Sequence, residues 1–96
     1  MSFKKAGNIF HSLLFRLAGA KYRDFVRLVL VWEDVVGHLL AEKAKIYKVD
    51  GNVVFVKVDN NIWMQELVLL KPEIKKKLER QSGIKIKEIV FFIKNN

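Results

Sequence analysis

The chain has no cysteine, a single proline and no long uninterrupted hydrophobic run. Without cysteine there are no disulfide bonds and no thiolate zinc sites, and nothing indicates an oxidising compartment. The longest apolar stretch, from Val26 to Trp32, is interrupted by Arg27 and falls far short of the roughly 20 apolar residues that cross a membrane. The N-terminal residues also lack the small-residue cleavage site of a signal peptide. We therefore expect a cytoplasmic protein that makes no contact with membranes.

Hydrophobic and basic residues are abundant instead. Hydrophobic residues make up 51% of the 96 residues, which is enough for one core and too little for two independent ones. We therefore predict a single domain over residues 1–96. The net charge is +8, and the basic residues are concentrated in the segments 3–27 and 71–96. Such a charge attracts polyanions such as nucleic acid, although exposed lysines also serve to keep a small domain soluble.

The stretch from Val54 to Leu70 changes its hydrophobic period from that of a strand to that of a helix. Val54, Val56 and Val58 alternate with other residues, as in a strand with one buried face. Beyond them the apolar residues recur every three or four positions, at Trp63, Leu67, Leu70, Ile74 and Leu78. Three good N-cap residues stand at the junction: Asp59, Asn60 and Asn61. A strand is therefore predicted to lead directly into a helix.

Two further helices are predicted before this strand, over residues 6–18 and 22–42. Gly19 stands where the first would end in a left-handed residue. Gly37 lies inside the second, where glycine costs about 1 kcal/mol relative to alanine. We expect another element to pack closely against Gly37, the alternative being an early helix end. Pro72 has no N–H for the carbonyl of Val68, so we expect the third helix to kink or break at residues 70–71.

The strands are predicted over residues 44–49, 52–59 and 84–93. Asp50-Gly51 indicates a hairpin. A two-residue loop would pair Tyr47 with Val54, and a three-residue loop would shift this register by one. The last strand is apolar on both faces, so we expect it to be central in the sheet or covered by a partner. The order α-α-β-β-α(α)-β predicts an α/β (α+β) domain with a three-stranded sheet, helices on one face and a last strand parallel to the second.

Little in the sequence favours catalysis. His11 and His38 have no carboxylate or second histidine at ligand spacing, and no glycine-rich phosphate loop is present. Glu33 and Asp34 are neighbours on a helix and do not face each other. We therefore expect no enzyme activity, no cofactor and no metal.

The basic residues near the C-terminus form the candidate nucleic-acid-binding set. Its members are Lys71, Lys75, Lys76, Lys77, Arg80, Lys85 and Lys87. A phosphate backbone could follow them, and bases could stack on an exposed aromatic such as Phe55 or Tyr47. In the alternative interpretation the lysines are only solvated and Phe55 is covered.

Several motifs follow one another along the chain: Trp32-Glu33-Asp34-Val35-Val36-Gly37, Asp50-Gly51, the strand Val54-x-Val56-x-Val58, Trp63-Met64-Gln65-Glu66-Leu67, Leu70-Lys71-Pro72-Glu73, and Ile86-x-x-Ile89-x-Phe91. This ordered set resembles the DciA family, bacterial proteins that bind the DnaB-type replicative helicase. The resemblance implies a KH-like domain that helps to place the helicase on DNA, binds DNA weakly and has no enzyme activity. The glycine-rich G-x-x-G clamp of KH domains is replaced by Leu70-Lys71-Pro72-Glu73, which argues against KH-style clamping of RNA. A long disordered extension, which many members carry, is also missing, so we expect the folded domain to supply the helicase contacts.

The leading hypothesis is thus a DNA-replication adaptor that acts as a monomer or weak dimer. We expect Trp63, Gln65, Glu66 and Phe55 to contact the helicase, and the basic set, with Phe55, to contact single-stranded or forked DNA. Two alternatives remain: a free-standing module for RNA or single-stranded nucleic acid, and a structural domain that dimerises through its open sheet face.

Overall fold

The computed structural model describes residues 19–93, so the helix predicted over residues 6–18 lies outside the described part. The described elements are α1 (Gly19–Val36), α2 (His38–Lys43), β1 (Ala44–Asp50), β2 (Val53–Val58), α3 (Asn61–Ser82) and β3 (Glu88–Phe92).

The three strands form one sheet in the order β1-β2-β3. β1 and β2 are antiparallel, and β3 runs parallel to β2 because α3 carries the chain back across the sheet. Buried residues from α1, α3 and one face of the sheet make the core, among them Leu28, Trp32, Val56, Leu67 and Ile89. The predicted fold class is confirmed. The expectation that the last strand might be central is wrong, because β2 is central and β3 lies at the edge.

The hairpin between β1 and β2 turns one residue later than predicted. Its central residues are Gly51 and Asn52, with φ of 58° and 64°, since asparagine also tolerates the positive φ that such a turn needs. Val49 therefore pairs with Val54, and a bulge at Tyr47 shifts the register further along the strand. The predicted pairing of Tyr47 with Val54 is wrong. The bulge lets the buried residues of β1, which are Ala44, Ile46 and Val49, all reach the core.

Gly37 ends α1, so the predicted helix over residues 22–42 is divided. The φ and ψ of Gly37 are 90° and 161°, a region of backbone space that is almost exclusive to glycine. A side chain at this position would meet no atom within 4 Å, so the explanation by close packing is wrong and the early helix end is confirmed. The chain resumes helical structure at once, with the N–H of Ala41 donating to the carbonyl of Gly37 at 3.0 Å.

α3 begins at the predicted cap and runs through Pro72 without the predicted break. The side-chain oxygen of Asn60 accepts hydrogen bonds from the N–H groups of Ile62 at 3.1 Å and Trp63 at 3.2 Å. Val68 and Pro72 are both exposed, so the carbonyl that loses its partner lies on the solvent side of the helix. At the other end Gly83 takes a left-handed conformation and closes the helix.

The last strand starts at Glu88, four residues later than predicted. Glu88 pairs with Val53, the first residue of β2, so the residues before Glu88 have no strand to pair with. The segment before it still alternates between buried and exposed residues. Its backbone is held differently: the N–H of Ile86 donates to the carboxylate of Glu79 at 2.7 Å, and the N–H of Lys87 donates to the carbonyl of Asn52 at 2.8 Å. Phe91 packs against the core while Phe92 lies on the other face, as predicted.

Candidate functional site

The N-terminal half of α3 exposes apolar side chains that the core leaves uncovered. The buried residues of this helix point into the core, and Ile62 and Leu69 therefore lie on the opposite side, with exposed fractions of 76% and 78%. An open cleft of about 380 Å³ beside them is lined by Met64, Gln65, Val68 and Leu69. Exposed apolar residues clustered in this way are typical of protein contact surfaces. We call Ile62, Met64, Val68 and Leu69 the α3 apolar surface.

The two tryptophans have different environments. Trp32 is buried in the core, with only 5% of its surface exposed. Trp63 is half-buried at the start of α3, where it packs against the core beneath the α3 apolar surface. Its neighbours Gln65 and Glu66 are exposed. Trp63, Gln65 and Glu66 thus share the start of α3 but not one face, because Trp63 turns toward the core and the other two turn outward. Trp32 is a core residue.

The C-terminal half of α3 carries basic residues along the same side of the helix. Positions 62, 69 and 76 are seven residues apart, close to two helical turns, so Lys76 lies in line with Ile62 and Leu69, and Arg80 follows one turn later. Lys77, Lys85 and Lys87 are exposed nearby in sequence. We call Lys76, Lys77, Arg80, Lys85 and Lys87 the basic surface.

Lys71 and Lys75 are engaged within the protein. The ammonium of Lys71 lies 3.4 Å from the carboxylate of Glu88, and that of Lys75 donates to the carbonyl of Lys87 at 3.3 Å. The Ile89 N–H, together with the Lys71 ammonium, holds the pKa of the Glu88 carboxyl below its ordinary value, so Glu88 is charged at neutral pH. Of the predicted nucleic-acid-binding set, these two lysines thus have the least free charge.

Phe55 is not brought together with the basic surface. It lies on the face of the sheet that the helices leave open, half-buried, with the ammonium of Lys48 4.9 Å from its ring centroid. On the same face the rings of Tyr47 and Phe92 meet edge to face, 5.3 Å apart. We define the open sheet face by the outward residues of the three strands, which are Lys45, Tyr47, Lys48, Asp50, Val53, Phe55, Lys57, Glu88, Val90 and Phe92.

Sequence reasoning missed several residues of these surfaces. Strand alternation already places Lys57 on the side of Phe55, and Phe92 was predicted to face away from Phe91. The alternating pattern alone could therefore have assigned Lys57 and Phe92 to the open sheet face. The position of Lys48 depends on the bulge, which no pattern indicated. Ile62 and Leu69 lay outside the predicted set, because the hydrophobic pattern of α3 marks its buried stripe and these two residues fall on the opposite side.

A small ion-pair cluster bridges the helix break at Gly37, so the expectation that His38 has no carboxylate at a suitable spacing is wrong. Nδ1 of His38 lies 3.1 Å from the carboxylate of Glu33, and Nε2 lies 3.6 Å from that of Glu42. The hydrogen bond with Glu33, aided by the charge of both carboxylates, raises the pKa of His38 above its ordinary value. All three side chains are exposed. In residues 19–93 no group of three possible ligands could hold a metal ion, and no helix there is long and apolar enough to span a membrane.

The described residues form a small α+β domain whose exposed features are the α3 apolar surface, the basic surface and the open sheet face. The family model "Dna[CI] antecedent, DciA" matches residues 5–91, and the chain belongs to the DciA family. Membership gives the chain the role of an adaptor in loading the DnaB-type replicative helicase. The DciA family is not a family of catalytic enzymes. No curated protein matches the chain.

Proposed function

We propose that this adaptor contacts the replicative helicase through the α3 apolar surface and DNA through the basic surface. One observation supports the proposal above the others: Ile62, Leu69, Lys76 and Arg80 follow one another along a single exposed side of α3. An apolar half and a cationic half on one helix suit an adaptor that must touch a protein and a polyanion together.

The helicase contact rests on apolar area. Burying an isoleucine or leucine side chain fully contributes about 1.5–3 kcal/mol, and Ile62 and Leu69 are both more than three-quarters exposed in the free chain. A helix that presents such residues at a spacing of seven positions fits a hydrophobic groove of a partner. Trp63 supports this surface from below, and Gln65 and Glu66 form its polar border. Phe55 was predicted to take part in the same contact, but it lies on the open sheet face.

The DNA contact rests on unpaired charge. Within residues 19–93 no carboxylate lies within ion-pair distance of any residue of the basic surface. Each lysine or arginine that reaches a phosphate releases counterions, so binding of this kind weakens steeply as salt rises. A weak, salt-sensitive contact is suited to a protein that delivers a helicase and then leaves.

The helicase contact is tested by interferometry with the full chain and its cognate helicase at low salt. Ile62→Asp combined with Leu69→Asp should weaken binding by roughly tenfold or more, because a charge on each side chain prevents its burial. Leu30→Asp is the matched control, since Leu30 lies on α1 with a similar exposed fraction of 74%. Equal binding by the double variant and wild type, with circular dichroism showing that both are folded, would exclude the α3 apolar surface from the helicase contact.

The DNA contact is tested by fluorescence anisotropy with labelled oligonucleotides over a range of salt concentrations. Lys76→Gln combined with Arg80→Gln should lower affinity and make the dependence on salt less steep. On a single strand the logarithmic slope should fall by about 0.7 for each phosphate that the variant leaves unneutralised. The same variant should bind helicase as wild type does. An unchanged salt slope would remove these residues from the DNA contact.

A further inference from the structure

We propose that the open sheet face is a second nucleic-acid contact, one that stacks the bases of a single strand on Phe55, Tyr47 and Phe92. The inference deepens the proposed function, because the basic surface of α3 supplies contacts to phosphates only. It assigns the bases to the opposite side of the sheet from the core helices.

The register of the strands brings the aromatic residues together. Phe55 of the central strand is flanked by Lys48 on β1 and Val90 on β3, and Phe92 is the register partner of Lys57. Tyr47 is 48% exposed and stands edge-on to Phe92, with an angle of 80° between the ring planes. Three rings from three strands thus share one face of the sheet.

Two ammonium groups lie among these rings. Lys48 is held over the ring of Phe55, and Lys57 has no ion pair within residues 19–93. Lys57 also stands directly opposite Lys45 across the strands, and like charges in such a pair weaken a sheet. Lys45 turns its ammonium away to the carbonyl of Ala41, at 3.1 Å, which leaves the charge of Lys57 on the open sheet face.

The combination of rings and unneutralised cations selects the class of ligand. An apolar protein surface would have to bury the charge of Lys57 without a partner, which is costly. A single-stranded nucleic acid offers flat bases for the rings and phosphates for the ammonium groups, and sheets with exposed aromatics bind RNA bases in this way. A duplex does not fit, because its bases are already stacked on one another.

The opposite end of the face limits where a strand can lie. Asp50 and Glu88 flank Val53 in register, so that end of the sheet carries two carboxylates, of which Glu88 is paired with Lys71. Phosphates are therefore expected toward the other end, which Lys57 marks, with Lys48 midway beside Phe55. The contact should span about two nucleotides, one on Phe55 and one on the pair formed by Tyr47 and Phe92.

The test compares two oligonucleotides of equal length and charge, oligo(dT) and a fully abasic strand, by anisotropy with the full chain. The basic surface meets the same phosphates in both, so only base stacking separates them. Oligo(dT) should bind at least about 30-fold more tightly, the effect of two stacked bases at roughly 1 kcal/mol or more each. Phe55→Leu combined with Tyr47→Leu keeps both positions apolar but removes two of the three rings. It should remove most of the difference and leave the abasic affinity unchanged, whereas Lys76→Gln with Arg80→Gln should lower both affinities alike.

The possible outcomes separate the two proposals. Equal affinity for both strands, abolished in the Lys76 and Arg80 variant, would overturn stacking while upholding the phosphate contact. Binding of neither strand would overturn both. In wild-type protein, oligo(dT) should shift the amide resonances of Phe55, Lys57 and Phe92, a readout that requires no variant to fold. Shifts confined to α3, or a dimer in sedimentation that Phe55→Leu dissociates, would show that the face has another role and overturn the inference.

Discussion

The indole nitrogen of Trp32 donates a hydrogen bond to the carbonyl oxygen of Ala44 at 2.9 Å, inside the core. Trp32 lies near the end of α1, and Ala44 is the fully buried first residue of β1. The bond therefore spans the break at Gly37 and the short helix α2. It fixes how the C-terminal part of α1 sits against the edge of the sheet.

Trp32→Phe should destabilise the fold by about 1–3 kcal/mol. Phenylalanine keeps an apolar ring but cannot donate, so the carbonyl of Ala44 would be left unpaired in the core. Urea unfolding followed by circular dichroism measures this change. Trp63→Phe is the control, because Trp63 is half-buried and its indole makes no hydrogen bond within residues 19–93; an equal destabilisation of both variants would contradict the role of the Trp32 bond.

Gly37→Asn should destabilise the protein by about 1–3 kcal/mol, because the backbone at Gly37 lies in a region that only glycine occupies readily. Gly83→Asn is the matched comparison. Gly83 has φ of 74° and ψ of 11°, a left-handed conformation that asparagine tolerates, so this change should cost much less. Thermal unfolding of both variants provides the measurement, and a reversed order would show that strain at Gly37 is not what ends α1.

Asn60→Ala should lower the free energy of unfolding by about 0.5–2 kcal/mol, because the first turn of α3 loses the acceptor for two N–H groups. Asn60→Asp should retain most of the stability, since its carboxylate accepts the same bonds and interacts favourably with the helix dipole. Guanidinium unfolding distinguishes the two. If alanine and aspartate behaved alike, the cap would have no energetic role.

His38 should titrate above the ordinary histidine pKa in an NMR titration, because Glu33 and Glu42 favour its charged form. Any stability that the cluster contributes is fully present below the ordinary pKa and is lost as pH rises through the raised one. Glu33→Gln should bring the pKa of His38 back down, since it removes the largest cause of the shift. If the pKa of His38 were unchanged in this variant, the contact with Glu33 would not be what raises it.

Local chemistry made much of the fold predictable. The cap at Asn60, the core stripe through Leu67 and Ile74, and the parallel last strand all follow from short-range patterns that the structure confirms. The bulge at Tyr47 could not be predicted from local sequence. It depends on packing in the folded sheet, where three residues of β1 must all reach the same core. The late start of β3 depends in the same way on where β2 ends.

The functional surfaces were predictable to a smaller extent. Trp63, Gln65 and Glu66 are neighbours on one helix, but the fold turns Trp63 toward the core and the other two outward. Phe55 is separated from the lysines of α3 because α3 packs on one face of the sheet and Phe55 lies on the other. Distance along the sequence carries no information about this separation. The internal bonds of Lys71 and Lys75 likewise require the fold.

The most direct test of the proposed role is strand separation of a forked DNA by the cognate replicative helicase, with limiting helicase and increasing amounts of the full chain. The chain should raise the initial rate, Leu30→Asp should do the same, and Ile62→Asp combined with Leu69→Asp should not. Helicase that binds the chain yet unwinds the fork no faster, or a double variant as active as wild type, would contradict helicase loading through α3.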